Sequence, residues 1–192
     1  MLFDIKQVDE SLTSHSGLAL MGLRLPKTKI KDRLNAVPLP GHPYPAISHG
    51  DNAQVMIGLL CLGQPDFAAI EAFRDDPFFR AALHLRQVPS EATLRQSLDS
   101  ARGAFDTILK EEAADLIARH AFRITPCHQN LVPLDIDVSP FDNSGTRKEG
   151  VSCTYNQVDG YAPILANLGE EGYWINAAWR EGKDWPRSFF VM

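Results

Sequence analysis

The chain has 192 residues with a formal charge of −5, and 44% of them are hydrophobic and 22% charged. That balance is ordinary for a folded globular protein; it excludes general disorder and a wholly basic nucleic-acid binder, while local basic patches stay open. No run is apolar over bilayer length, and the start "MLFDIKQVDE" lacks the basic-then-apolar order of a secretory signal, so no membrane partner and a cytoplasmic location are expected.

Cys61, Cys127 and Cys153 stand apart without a CxxC pair, which predicts free thiols and neither a zinc site nor a disulfide framework. The six histidines lack ligand spacing as well, and His42 and His49, in a proline-rich stretch, are expected to face solvent.

In chain order, residues 1–50 carry few periodic signals and read as an N-terminal segment ending in the connector "VPLPGHPYPAISHGD". Within it, "LRLPKTKIKDR" sets Arg24, Lys27, Lys29, Lys31 and Arg33 against Asp32 alone. A solvated loop and a phosphate contact explain that patch equally well.

From Asp51 the texture becomes helical. "DNAQVMIGLLCLG" carries Val55, Met56, Leu59 and Leu60 at helical spacing and stops at Gly63, with Pro65 behind it. Asp66 caps "DFAAIEAF", and Asp76 caps "DPFFRAALHL" with Pro77 at the first helical position, where a missing N–H costs nothing. Ser90 starts a further helix with Leu94 and Leu98 on one face. Phe105, Ile108, Leu109, Ala113, Leu116 and Ile117 then form a stripe opposite Asp106, Lys110, Glu111, Asp115 and Arg119. Residues 51–125 thus read as a bundle of short helices, and the turn before Ser90 allows a helix-turn-helix, which would make this a candidate DNA-binding region.

After "TPCHQN" the period changes from helical to alternating. Strands are predicted at 131–139, 160–168 and 173–180, the last two joined as a hairpin by "GEEG". The polar insertion between the first two has room for a short strand near Val151 to Tyr155. Helices first and strands second give an α+β class or two domains. Three strands cannot close a core alone, so their apolar face needs a cover.

The first strand holds the main candidate site. Leu134, Ile136 and Val138 alternate with Asp135 and Asp137, which puts the apolar side chains on one face and both carboxylates on the other, roughly 6.5–7 Å apart. Two acids that close are either a solvated strand face or ligands for a divalent cation.

The block "PLDIDVSPFDNSGTRKEGVSCTYNQVDGYAPILANLGEEGYWINAAWREG" resembles the opening of the catalytic domain of bacterial insertion-sequence transposases of the DDE type. Upstream, "DFAAIEAFRDDPFFRAAL" and "VPSEATLRQSLD" resemble the helical N-terminal region of the same enzymes, so the similarity runs from about residue 12 to residue 182. The resemblance implies a helical N-terminal bundle followed by the first strands of an RNase H-like sheet, with the DDE catalytic domain beginning at 126–182. It also implies DNA transposition on double-stranded insertion-sequence ends, a homo-oligomer as an open option, and two Mg²⁺ ions held by Asp, Asp and Glu. Asp137 matches the first of these acids, with Asp135 as runner-up, and their strand is expected at the centre of the sheet.

One such metal would activate a water or a 3′-hydroxyl and the other would stabilise the leaving oxygen. The family's second Asp and its Glu lie downstream of "REG", whereas residues 183–192, "KDWPRSFFVM", depart from the family pattern. A truncated, catalytically incomplete sheet is therefore expected, with Asp184 as the alternative second acid. A non-catalytic DNA-binding or regulatory module derived from a transposase is the competing function. Arg147 and Lys148 are candidate phosphate contacts, or else they neutralise Asp142 and Glu149.

Overall fold

The computed structural model describes residues 13–39, 45–119 and 123–184. His42, part of the proline-rich connector, and most of the expected off-pattern tail lie outside those residues. The chain divides into two compact units, Met1–Glu112 and Ala113–Met192. It is α+β, with helices preceding small antiparallel sheets. No helix among the described residues is long and apolar enough to cross a membrane.

The first unit contains α1 (Leu18–Arg24), a 3-10 turn (Leu25–Lys27), α2 (Ile30–Asn35), α3 (His49–Cys61), a 3-10 helix (Phe67–Phe73), α4 (Pro77–Ala82) and α5 (Glu91–Ala101); α6 (Asp106–Arg119) crosses the division. Local chemistry sets the starts. Asp66 accepts from the Ala68 N–H, Asp76 from the Phe78 and Phe79 N–H groups, and Ser90 from the Thr93 N–H, so each side chain satisfies donors the helix leaves open. Ser48 does the same for α3, which therefore begins two residues before Asp51.

One core joins these pieces. Leu18, Leu34, Val55, Leu59, Ile70, Phe79, Leu83 and Leu94 are at most 2% exposed and belong to a single apolar cluster. The basic stretch expected as a loop is the end of α1, the 3-10 turn and α2, whose Leu25, Ile30 and Leu34 enter that core. His49, expected at the surface, is buried, its ring 5.7 Å from that of Phe105.

The helix-turn-helix expectation is corrected. Residues 83–90 separate α4 from α5, longer than the three- or four-residue turn of that motif. That connection is tied elsewhere: His84 has a positive φ of 52°, and its ring nitrogen lies 3.0 Å from the Gly22 carbonyl oxygen.

In the second unit the strands are β1 (Leu134–Val138), β2 (Phe141–Asp142), β3 (Ser152–Cys153), β4 (Asp159–Tyr161), β5 (Ile164–Leu168) and β6 (Tyr173–Ala178). They form two three-stranded antiparallel sheets, ordered β1-β5-β6 and β2-β4-β3. The strand expected over 160–168 is split by Ala162 and Pro163. Pro163 has no N–H to give a ladder, and its carbonyl accepts from Ser139 instead, so the chain leaves one sheet and enters the other there. The β5–β6 hairpin turns on "GEEG" as expected, with Gly169 and Gly172 at φ of 77° and 70°. From that turn the Glu171 carboxylate accepts from the Thr125 N–H at 3.0 Å and from the Thr125 hydroxyl.

The expectation of a central first strand is overturned. Among the described residues β1 pairs only with β5 and so lies at the edge of its sheet. Sheet order depends on which strand reaches the free edge, and alternation within β1 carries no information about that.

Two stability predictions follow from this packing. A Cβ on Gly22 would stand 1.8 Å from the Ala82 carbonyl oxygen, so Gly22→Ala should destabilise by about 1–3 kcal/mol in urea titration, although glycine to alanine within a helix ordinarily stabilises. Leu23→Ala, at a 67% exposed neighbour, is the control and should change stability by less than about 0.5 kcal/mol. The Thr125 hydroxyl and N–H hold Glu171 below the usual carboxylate range. A depressed folded value gives stability that is present above the unfolded value, near pH 4.3, and is lost as pH falls through the folded one. Glu171→Gln should therefore melt below wild type at neutral pH, and the gap should narrow as pH falls below the ordinary carboxylate range.

Candidate functional site

β1 delivers the two acids as its alternation predicts. Both Asp135 and Asp137 are exposed. Across β5, Asp135 stands opposite Asn167 and Asp137 opposite Leu165, and β6 continues this face with Trp174 and Ala177. Neither cross-strand partner is basic, so the sheet itself supplies no counter-charge directly opposite the carboxylates. The other face of β1 carries Leu134 and Ile136, 53% and 40% exposed, beside Leu168 and Ala166.

The ladder parity can be read from two bonds. Ser139 N–H donates to the Pro163 carbonyl, and Gly169 N–H donates to the Pro133 carbonyl. Bonded pairs therefore fall at 133, 135, 137 and 139, while Leu134, Ile136 and Val138 turn their N–H and C=O groups away from β5. One of those outward groups is taken: the Tyr155 hydroxyl donates to the Val138 carbonyl at 3.1 Å.

Two carboxylates on one exposed strand do not make the two-ion centre that the resemblance implies. Mg²⁺ demands octahedral oxygen coordination, and two ions need bridging and terminal carboxylates together. Among the described residues no group of three His, Cys, Asp or Glu side chains comes close enough to hold a metal. Asp184 lines a cavity of about 410 Å³ with Val138, Tyr155, Thr154 and Lys183, and Asp137 is not among its lining residues. Val138 and Asp137 leave opposite faces of β1, so Asp184 is not brought to Asp137.

The basic residues separate into two groups. Lys31 pairs with Asp51 at 2.5 Å, and Arg33 pairs with Glu111 and with Glu112, the latter at 3.0 Å. Those carboxylates, Glu111 first and then Glu112, raise the Arg33 guanidinium above its ordinary range. Glu112 also accepts from the Lys29 N–H at 3.0 Å. Lys31 and Arg33 are thus engaged within the helical unit, whereas the side chains of Lys27 and Lys29 are exposed. In the second unit Arg147 and Lys148 are exposed as well, and Asp142 is held below the usual carboxylate range by the Ser144 hydroxyl and N–H.

Sequence reasoning missed Glu112. It expected Leu109 on the buried stripe of α6, but Leu109 is 41% exposed and Glu112 only 6%. An acid three residues on from Leu109 occupies the covered face because Arg33 and the Lys29 N–H meet it there. Comparison with known proteins finds no matching family model, no matching curated protein and no matching solved structure.

Glu112→Ala should lower the stability of the helical unit by about 1–3 kcal/mol, the cost of leaving the Lys29 N–H without its acceptor. Lys27→Ala should leave the same urea midpoint unchanged. Equal midpoints for both variants would remove Glu112 from the structural account.

Proposed function

We infer that the chain acts with DNA as part of a DDE-type transposition system, binding duplex DNA while Asp137 serves as one carboxylate of a strand-transfer centre. The observation that carries this reading is the exposed pair Asp135 and Asp137 on β1, the leading strand of the antiparallel run β1-β5-β6, inside the block that resembles such transposases. Its chemistry needs acids beyond those the described residues bring together. An RNase H-like completion would also require a further strand on the free edge of β1, which would move Asp137 to the sheet interior.

The division of labour follows from the residues present. Lys27 and Lys29 in the first unit, and Arg147 and Lys148 in the second, can each neutralise a phosphate. Phosphate contacts carry no sequence information, so affinity from these residues is expected without sequence preference. Asp135 and Asp137 would repel a phosphate backbone unless a cation stood between them. Mg²⁺ would supply that bridge when further ligands complete its shell.

The reading is tested by fluorescence anisotropy on duplex DNA over a salt series. Binding should weaken steeply with salt and be alike for different sequences. Lys27→Ala/Lys29→Ala should flatten the slope of log K against log salt by about 2, two phosphate contacts at about 0.9 each. The intact chain and its Asp137→Asn variant should both leave supercoiled DNA uncut in Mg²⁺ or Mn²⁺. An absence of DNA binding, or an unchanged slope, would sink the DNA reading; cutting that Asp137→Asn abolishes would show that the centre is complete.

A further inference from the structure

Among the described residues the outer edge of β1 is uncovered, and it is the edge that an RNase H-like completion would fill. Leu134 and Ile136 each turn an N–H and a C=O outward, and Val138 adds an N–H. Pro133 and Pro140 bound the stretch, and the Tyr155 hydroxyl occupies the outward Val138 carbonyl. What remains, among the described residues, is an open template of about five residues with exposed apolar side chains on one face and two carboxylates on the other. Such edges are ordinarily covered or blunted, because unpaired ladder groups recruit another strand.

The carboxylates decide which strand. If a second copy paired antiparallel about Ile136, Asp135 would face the other copy's Asp137, and the reverse, placing like charges directly opposite each other. That arrangement is destabilising, so the edge is guarded against itself. A strand with basic side chains at alternate positions gains where a second copy loses. Its Lys or Arg side chains would lie beside Asp135 and Asp137, and its apolar side chains beside Leu134, Ile136 and Val138.

We propose that the β1 edge binds an extended peptide segment of alternating apolar and basic residues by adding it as a strand to the β1-β5-β6 sheet. Main-chain hydrogen bonds at Leu134 and Ile136 supply the affinity, and the Asp pair supplies the selection. A divalent cation would compete for the same carboxylates, so the peptide and the cation exclude one another. The proposal needs no nucleic acid, and DNA binding by Lys27 and Lys29 can fail without touching it.

The test titrates the full chain, free of divalent ions, into three labelled, end-blocked six-residue peptides. One alternates Val and Lys, one alternates Val and Glu, and one has the first peptide's composition with its valines contiguous. The alternating Val–Lys peptide should bind about tenfold tighter than either of the others, since it alone combines the strand period with opposite-charge pairing. The contiguous peptide has the same charge and so removes general attraction to an acidic protein.

Ile136→Pro should erase the preference, because it deletes an outward N–H that the β1–β5 ladder does not use, and proline is tolerated on that side of an edge strand. Asp135→Lys/Asp137→Lys should reverse the preference toward the Val–Glu peptide. Absence of binding, equal binding of the contiguous peptide, survival of the preference in Ile136→Pro, or an unreversed preference in the charge-swapped variant would each overturn the proposal.

Discussion

The ladder between β1 and β5 runs through the backbones of Asp135 and Asp137, and most of what the second unit presents follows from that parity. Bonds at the odd positions hold both acidic residues by their main chains while their side chains share one face. The even positions are left with apolar side chains on the opposite face and hydrogen-bonding groups on the outer edge. A slip of one residue would exchange every one of these assignments, because the period of a strand is two. Pro133 and Pro140 restrict the ladder at both ends of β1, and Pro163 ends β5 where the chain changes sheets.

A comparable constraint organises the helical unit around one acid. Glu112 accepts from Arg33 and from the Lys29 N–H, so the covered face of α6 carries a carboxylate where an apolar stripe alone would have placed Leu109. The same bonds account for the basic stretch. Lys31 and Arg33 are held by Asp51, Glu111 and Glu112, and they fasten α2 to α3 and α6. A run that looks like a phosphate-binding patch in one dimension is, for those two residues, a set of internal partners. Lys27 and Lys29 keep their side chains exposed toward an outside anion.

What could be read from the sequence follows the range of the forces involved. Asp66, Asp76, Ser90 and Pro77 act on donors within three residues, and each does what its position predicts. The turn "GEEG" and the stop at Gly63, φ 70°, are equally local. By contrast, α1 and α2 gave little periodic signal because their places depend on remote groups: the Ala82 carbonyl against Gly22, the His84 ring at the Gly22 carbonyl, and Glu112 at Lys29 and Arg33. The faces of β1 were legible from alternation. Its position at the sheet edge was not, since that depends on where β5 and β6 go. The carboxylate pair was likewise legible as a pair, but not its neighbours Asn167 and Leu165.

Those neighbours bear on why two like charges persist side by side. With no basic group directly across the ladder, Asp135 and Asp137 depend on water to separate their charges, and their exposure provides it. Burying that face against an apolar surface would remove the water and make the pair expensive. Any occupant of the site must therefore bring positive charge with it, as a cation or as a basic side chain. The apolar side chains on the opposite face pull the other way, since Leu134 and Ile136 would be stabilised by a cover. An occupant suited to β1 answers both demands at once: it covers the even positions with apolar surface and meets the odd ones with charge. Plain hydrophobic association satisfies the first and fails the second, which is how an edge strand with exposed leucine and isoleucine can remain selective.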